Sequence, residues 1–136
     1  MIPVLSSQVD LAPTFAAWAD ATVPDFVDGR SLASLLVGEA EPTWRQTALI
    51  EKYTDRPEGS LKQPGFDALR GEDFIYVENF TGETEYYDLT EDPYQLDNQA
   101  ASLDAGRLEA LSDRLTAMTA CAGETCRALE DAPLPQ

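Results

Sequence analysis

The chain has 136 residues, 43% of them hydrophobic, with 25 acidic side chains, 9 basic ones and no histidine. A chain of this size fits one domain and buries roughly two thirds of its unfolded surface. The net charge of −16 argues against nucleic-acid binding, which relies on basic clusters. Because histidine is absent, Ser/His/Asp and Cys/His catalysis and histidine-ligated metal sites are excluded, whereas enzymes that use only carboxylates remain open.

Two short amphipathic helices are predicted in the first part of the chain. Leu11, Phe15 and Trp18 recur at the spacing of one helix face, and Asp10 stands where an N-cap is expected. This apolar stripe is interpreted as core. A second helix is predicted over 32–38, where it ends at a glycine. Between the two helices, Arg30 is predicted to form a structural or surface ion pair with the nearby Asp28 rather than to bind a substrate.

Four strands and one long helix are predicted after the polar break that follows. Segments rich in aromatic and β-branched residues, separated by turn residues, predict strands over 44–53, 66–70, 74–80 and 84–89. An apolar stripe that is typical of a helix then recurs at Leu108, Leu111, Leu115 and Met118. The predicted fold class is α+β: a small antiparallel sheet of about four strands with a C-terminal helix packed on one face, preceded by two short helices.

The predicted elements divide the chain into three parts. Residues 1–43 form a helical segment, 44–127 a sheet-plus-helix subdomain, and the Pro-rich end at 128–136 a disordered tail. The connection 54–66 contains two Pro, two Gly and charges of both signs. Loops of this length are either functional or disordered, and a solvated loop is the favoured interpretation.

The chain contains two cysteines, Cys121 and Cys126, with four residues between them. A small disulfide loop would indicate an oxidising compartment, whereas two thiols without histidine leave a tetrahedral zinc site half empty. No apolar run approaches the roughly 20 residues that a bilayer crossing needs. The first residues also lack the basic start of a signal peptide.

Five segments carry residue patterns that occur, in the same order, in one known family. The matching residues are Val9, Asp10, Leu11, Pro13 and Thr14; Pro24, Gly29, Ser31, Leu32, Leu35 and Leu36; Trp44 and Arg45; Glu85, Tyr87, Asp88, Leu89, Asp92, Pro93 and Asn98; and Cys121, Gly123, Cys126 and Arg127. Together they resemble the C-terminal portion of the sulfatases of the alkaline-phosphatase superfamily, among them bacterial arylsulfatases and N-acetylglucosamine-6-sulfatase-like members. The chain departs from the family pattern at Gly71, where Thr is usual, and at Ile75, where Lys is usual.

The resemblance implies the C-terminal subdomain of a sulfatase, a sulfuric ester hydrolase, which helps to shape the substrate pocket and lacks the catalytic machinery. In this family, the formylglycine is formed from the Cys or Ser of a Cys/Ser-x-Pro/Ala-x-Arg motif. Neither Cys121 nor Cys126 belongs to such a motif. No catalytic residue, metal ligand or cofactor is therefore expected in this chain, and the family's Ca²⁺ and formylglycine are expected upstream. By the same resemblance, Arg56 and Lys62 would contact a sulfated sugar, and the two cysteines would pair.

The implied partners are the missing N-terminal sulfatase domain and, for the parent enzyme, a sulfated carbohydrate or an aryl sulfate, with no nucleic acid and no membrane. The parent would be periplasmic or extracellular, while the location of this fragment stays open. Apolar residues that normally pack on the absent domain would be exposed and would favour self-association; they are Leu11, Phe15, Trp18, Leu35 and Leu36. The alternative is a free-standing acidic binding module with the same fold and no catalysis. A carboxylate-only enzyme is disfavoured.

Overall fold

The structure, a computed structural model, describes residues 4–39, 44–53 and 65–134. Its centre is a four-stranded antiparallel sheet in which each strand pairs with the next one along the chain. The strands are β1 (Thr47–Lys52), β2 (Phe66–Gly71), β3 (Phe74–Asn79) and β4 (Thr84–Asp88). The predicted antiparallel sheet is thereby confirmed, and so is the α+β fold class.

One face of the sheet packs on α3 (Ala105–Thr119) and forms the core. The register places large side chains next to one another across the four strands; they are Leu49, Leu69, Tyr76 and Tyr86. From the helix, the buried side chains Leu111, Leu115 and Met118 pack against this row. The carboxylate of Asp104 caps the start of α3 by accepting hydrogen bonds from the first backbone N–H groups of the helix. The predicted stripe is therefore core.

The two helices before the sheet are α1 (Leu11–Trp18), which follows a 3₁₀ turn, and α2 (Ala33–Leu36). The second is shorter than predicted. The interpretation of the α1 stripe as core is wrong for this chain, because the exposed fractions of Leu11, Phe15 and Trp18 are 49%, 59% and 59%. The described part of the chain covers only about half of the surface of these residues. Their exposure is what a surface that normally meets another domain would show.

Residues 128–134 are ordered, which corrects the prediction of a disordered tail for this part of 128–136. Residues 128–131 belong to a further helix, α4 (Glu124–Asp131), and Leu129 and Leu134 pack against the core. Arg114 of α3 fixes this end by donating hydrogen bonds to the carbonyl oxygens of Leu129, Ala132 and Pro133. Residues 135–136 lie outside the described ranges.

The outer edge of β4 is covered by a side chain that takes the place of a neighbouring strand. The Oδ1 atom of Asn98 accepts a hydrogen bond from the Tyr86 N–H at 3.1 Å, and its Nδ2 donates to the Thr84 carbonyl at 3.0 Å. The Gln99 N–H then donates to the Tyr86 carbonyl at 2.9 Å. Because open strand edges recruit other chains, this arrangement protects the sheet from intermolecular pairing.

Candidate functional site

A buried cluster of charged side chains joins the N-terminal segment to the sheet and to α4. Arg45 donates hydrogen bonds to both carboxylate oxygens of Asp10, each at 2.7 Å, and both side chains are 0% exposed. The Nε of Arg45 also donates to Glu130 at 3.1 Å, and Glu130 accepts a further bond from Arg30 at 3.1 Å. We call Asp10, Arg30, Arg45 and Glu130 the ion-pair network.

Backbone groups complete the hydrogen bonding of Asp10. Its carboxylate accepts from the backbone N–H of Ser7 at 2.8 Å and from that of Arg30 at 3.0 Å. Its carbonyl accepts from the Thr14 hydroxyl at 2.6 Å, and the same hydroxyl accepts from the Leu32 N–H at 2.9 Å. A buried charge with this many partners holds the start of α1 and the start of α2 in one fixed arrangement.

The Trp44 ring lies close to both arginines of the ion-pair network. The centre of its ring is 5.4 Å from the guanidinium carbon of Arg30 and 5.8 Å from that of Arg45. Its indole N–H donates to the Leu5 carbonyl at 2.7 Å. The electron-rich ring therefore attracts both guanidiniums, which share the Glu130 carboxylate as their counter-charge. This contact explains why tryptophan and arginine stand together directly before β1.

Two glycines permit close contacts between segments that are distant in the sequence. A Cβ atom on Gly29 would lie 2.0 Å from the Val9 carbonyl oxygen, so no larger residue fits. Gly123 has a φ of +57°, and a Cβ atom there would lie 2.1 Å from the carbonyl oxygen of Asp25. The backbone N–H of Gly123 also donates to the Asp28 carboxylate at 2.6 Å. Both glycines thus hold the residues around 25–29 in place.

The prediction that Arg30 pairs with Asp28 is wrong, because Arg30 forms its ion pairs with other residues. The Arg30 guanidinium binds Glu130 at 3.1 Å and Asp131 at 2.7 Å, and Asp28 binds the loop before α4 instead. Burial raises the pKa of the Glu130 carboxyl, and the guanidiniums of Arg45 and Arg30 act in the opposite direction. Because it connects elements of the fold, Arg30 has a structural role here.

Sequence reasoning missed Glu130 and Asp131, because both fell in the predicted tail. A weak signal was available: Cys126, Leu129 and Glu130 recur at the spacing of one helix face. The acidic residue at the third of these positions concealed the pattern, since a carboxylate on a buried face is not expected without a known cationic partner.

A row of three carboxylates crosses the sheet on the face that also carries the core. Glu51, Asp67 and Glu78 occupy directly opposed positions on β1, β2 and β3. Burial raises the pKa of Asp67, and the negative charges of Glu51 and Glu78 raise it further. The hydroxyls of Tyr53 and Tyr76 donate to Glu51 and Glu78 at 3.0 and 2.7 Å. The three carboxylates place negative charge at this end of the sheet.

The predicted substrate contacts Arg56 and Lys62 lie outside the described residues. They belong to the connection between β1 and β2, whose described ends are Tyr53 and Gly65. The Tyr53 ring packs on that of Phe80, with ring centres 5.9 Å apart, beside the same end of the sheet as the carboxylate row. Within the described ranges, no group of three or more His, Cys, Asp or Glu side chains is arranged to hold a metal ion.

The predicted disulfide is confirmed. Cys121 follows α3 and Cys126 lies in α4, and the bond between them brings their Cα atoms to 5.1 Å. Cys126 is buried and Cys121 is half-buried. None of the helices in the described part of the chain combines the length and hydrophobicity that crossing a bilayer requires.

Comparisons with known proteins agree on one family. The family model for N-sulphoglucosamine sulphohydrolase, C-terminal, matches residues 2–120. An N-acetylglucosamine-6-O-sulfatase of Bacteroides thetaiotaomicron is 35% identical over 98 residues, which cover 69% of this chain and 17% of that protein. The solved structure of BT4656 in complex with its substrate D-glucosamine-2-N,6-O-disulfate aligns with a TM-score of 0.65 at 30% identity, covering 79% of this chain and 22% of that one. The phosphonate monoester hydrolase of Agrobacterium radiobacter aligns with a TM-score of 0.65 at 32% identity, covering 82% and 24%.

The chain therefore spans about a quarter or less of the length of each of these three proteins. The family match runs from the N-terminal segment through the sheet to the end of α3, so it includes most of the ion-pair network as well as the core. The resemblance to sulfatases seen in the sequence is confirmed. The chain belongs to the family of sulfatase C-terminal domains.

Proposed function

We propose that this chain completes a sulfatase: it packs on a catalytic domain, helps to shape the pocket for a sulfated substrate, and contributes no catalytic residue of its own. The observation that carries this proposal is the exposed apolar surface on α1, formed by Leu11, Phe15 and Trp18. An exposed apolar patch of this kind is typical of an interaction surface.

The α1 surface is held rigidly, which distinguishes it from a flexible end. Phe15 and Trp18 pack on each other with ring centres 5.9 Å apart, and Leu36 and Val37 add exposed apolar area nearby in α2 and directly after it. The ion-pair network fixes the start of α1, so burying these side chains against a partner would cost little additional ordering. A catalytic domain is the proposed partner because the matched relatives are several times longer than this chain.

The substrate contacts are proposed to come from the connection between β1 and β2. Because the row of Glu51, Asp67 and Glu78 repels anions, a sulfate group near this end of the sheet would need cations to offset that charge. Arg56 and Lys62 belong to this connection and are the proposed source of them. By the family resemblance, the formylglycine and the Ca²⁺ that perform the hydrolysis would belong to the catalytic domain.

The disulfide supports an oxidising location for the parent enzyme. Cys121 and Cys126 are bonded, and disulfides persist in the periplasm and outside the cell but are rare in the cytosol. A periplasmic or extracellular parent is therefore proposed.

The proposal is tested with the purified chain and a dye, such as ANS, that fluoresces on apolar surfaces. The chain should bind the dye and should release no sulfate from 4-nitrophenyl sulfate. A Phe15→Ser/Trp18→Ser variant should lose most of the dye fluorescence. The matched control is Tyr94→Ser/Leu96→Ser, which removes two exposed apolar side chains from a different part of the surface and should leave dye binding nearly unchanged.

Two outcomes would contradict the proposal. Sulfate release by the chain alone would mean that it carries catalytic residues. Equal loss of dye binding in both double variants would mean that α1 is not a distinct docking surface, and would favour the free-standing module.

Self-association through α1 would appear as a larger sedimentation coefficient that the Phe15→Ser/Trp18→Ser variant reverses.

A second candidate reaction is the hydrolysis of phosphonate monoesters. The phosphonate monoester hydrolase of Agrobacterium radiobacter matches this chain with the same TM-score and a similar identity as the sulfatase structure. The two reactions are separated by assaying the protein that contains both domains with an aryl sulfate and a phenyl phosphonate ester. Faster turnover of the sulfate supports the first candidate, and faster turnover of the phosphonate supports the second.

A further inference from the structure

The disulfide closes a loop that is too short to explain much stability by itself. Only four residues separate Cys121 from Cys126, so the bond restricts the unfolded chain less than a bond that closes a longer loop would. Its effect on the folded chain depends instead on what the loop contacts. Those contacts are made with a segment about 95 residues earlier in the sequence.

The disulfide loop packs directly on residues 25–28. Gly123, inside the loop, donates its N–H to the Asp28 carboxylate at 2.6 Å, and its Cα approaches the Asp25 carbonyl so closely that no side chain fits. One turn further on, the Arg127 guanidinium donates to the Val27 carbonyl. The conformation that the disulfide imposes on the loop is thus the one that matches this segment.

The helix α4 contains Cys126 of the disulfide near its start and Glu130 of the ion-pair network near its end. The Arg30 guanidinium donates to the Arg127 carbonyl, Glu130 and Asp131, all of them in α4. Arg45 relies on Glu130 for one of its three hydrogen bonds. If α4 moved away, two largely buried guanidiniums would lose carboxylate partners, and breaking a buried pair in this way is strongly unfavourable. The positions of α4 and of the N-terminal segment are therefore coupled.

We propose that the Cys121–Cys126 disulfide is a redox latch, which holds α4 in the ion-pair network and, through it, holds residues 5–37 on the sheet. Reduction would open the loop at Gly123 and displace α4 while the sheet and α3 stay folded. The N-terminal segment would loosen, because it would keep the Asp10–Arg45 bonds but lose the contacts of Arg30 with α4. The latch acts within this chain and does not require the partner domain.

The chemical step is thiol–disulfide exchange with a dithiol reductant. A thiolate of dithiothreitol attacks the Sγ of Cys121, the more exposed of the two cysteines, and the S–S bond breaks with Cys126 leaving as a thiolate that takes up a proton. The second thiol of the reductant then attacks the mixed disulfide, forms the oxidised ring and releases Cys121 as a thiol. Two electrons and two protons pass from the reductant to the protein.

The test follows backbone hydrogen exchange in the oxidised and the reduced chain. The N–H groups of Arg30 and Leu32 report on the latch, because they donate to Asp10 and to Thr14 inside the N-terminal segment. On reduction, their exchange should accelerate by on the order of tenfold or more, while amides of β2 and β3 keep their protection. A Cys121→Ser/Cys126→Ser variant should exchange like the reduced chain and should not respond to dithiothreitol.

Three results would overturn the latch. Unchanged exchange at Arg30 and Leu32 would show that the loop does not control this segment. Equal loss of protection in β2 and β3 would show a general stabilising bond instead. The third uses Glu130→Gln, which keeps the disulfide and weakens the α4 end of the network. That variant should accelerate the same two amides in the oxidised chain, and no effect there would exclude the route through α4.

Discussion

The guanidinium of Arg45 lies against the carboxylate of Asp10 with two bonds of 2.7 Å, although the two residues are 35 positions apart. Arg45 stands just before β1, and Asp10 ends the 3₁₀ turn that precedes α1. Since neither side chain is exposed, the Asp10 carboxylate depends on Arg45 for the neutralisation of its charge. The Asp10–Arg45 pair connects the sheet to the helical segment that precedes it in the sequence.

Removing one member of this pair should be strongly destabilising. Arg45→Met keeps most of the side-chain volume but leaves the Asp10 carboxylate buried without a cation, so the free energy of unfolding in urea should fall by about 3–5 kcal/mol. Glu109→Gln, on the exposed side of α3, is the control and should change it by less than about 0.5 kcal/mol. The double variant Asp10→Asn/Arg45→Met should lose less unfolding free energy than the sum of the losses in the two single variants. An additive result would contradict the pairing.

The contact at Gly29 predicts a sharp difference between two glycine substitutions. Gly29→Ala places a Cβ atom 2.0 Å from the Val9 carbonyl oxygen, so the two segments must separate and the melting temperature should drop by several degrees. Gly38→Ala meets no atom within 4 Å and bears only the strain of its φ of +85°, about 1–2 kcal/mol. Thermal unfolding should therefore rank Gly29→Ala as the less stable variant. The reverse order would mean that the backbones do not approach as closely as described.

Loss of the side chain that covers β4 should promote association. Asn98→Ala exposes the N–H of Tyr86 and the carbonyl of Thr84, which water can partly satisfy, so stability should fall by only about 1 kcal/mol. The freed edge should nevertheless pair with other chains, and sedimentation velocity should show concentration-dependent dimers or larger species. Asn98→Asp keeps the acceptor and loses the donor, so it should associate less. A strictly monomeric Asn98→Ala would contradict this role.

The row of Glu51, Asp67 and Glu78 predicts that one substitution increases the free energy of unfolding by an amount that depends on pH. The pKa of Asp67 is raised in the folded chain, so the folded state binds its proton more tightly and this group lowers stability as pH rises through that pKa. Asp67→Asn should therefore increase the unfolding free energy at pH 7 and increase it less near pH 4. Asp113→Asn, an equal change of charge on the exposed side of α3, controls for net charge. Equal gains from both variants at both pH values would contradict the prediction.

The sheet and α3 could be predicted because their signals are local. Alternation along the strands and the stripe through Leu111 and Leu115 each report on neighbouring residues, and the antiparallel order of β2, β3 and β4 follows from short connections. The stripe on α1 shows what hydrophobic periodicity does not indicate. Periodicity indicates that Phe15 and Trp18 belong to a face that is to be buried, but not which molecule or domain buries it.

The ion-pair network could not be assembled from the sequence, because its contacts are long-range. Arg30 and Asp131 are 101 positions apart, and no local pattern links them. The family resemblance drew attention to Asp10 and Arg45 without indicating that they touch. Glu130, which neutralises both arginines, lies beyond the stretch that the family model matches and was assigned to a tail.

The place of Glu130 so late in the chain has a consequence for biosynthesis. While the ribosome is still making the polypeptide, Asp10, Arg30 and Arg45 emerge long before the helix that carries their remaining counter-charge. The strands and α3 can collapse first, since the buried side chains of the core cluster all lie between Leu69 and Met118. The contacts that hold α1 on the sheet are complete only after translation has passed Glu130, which makes the closing of the ion-pair network a late step of folding.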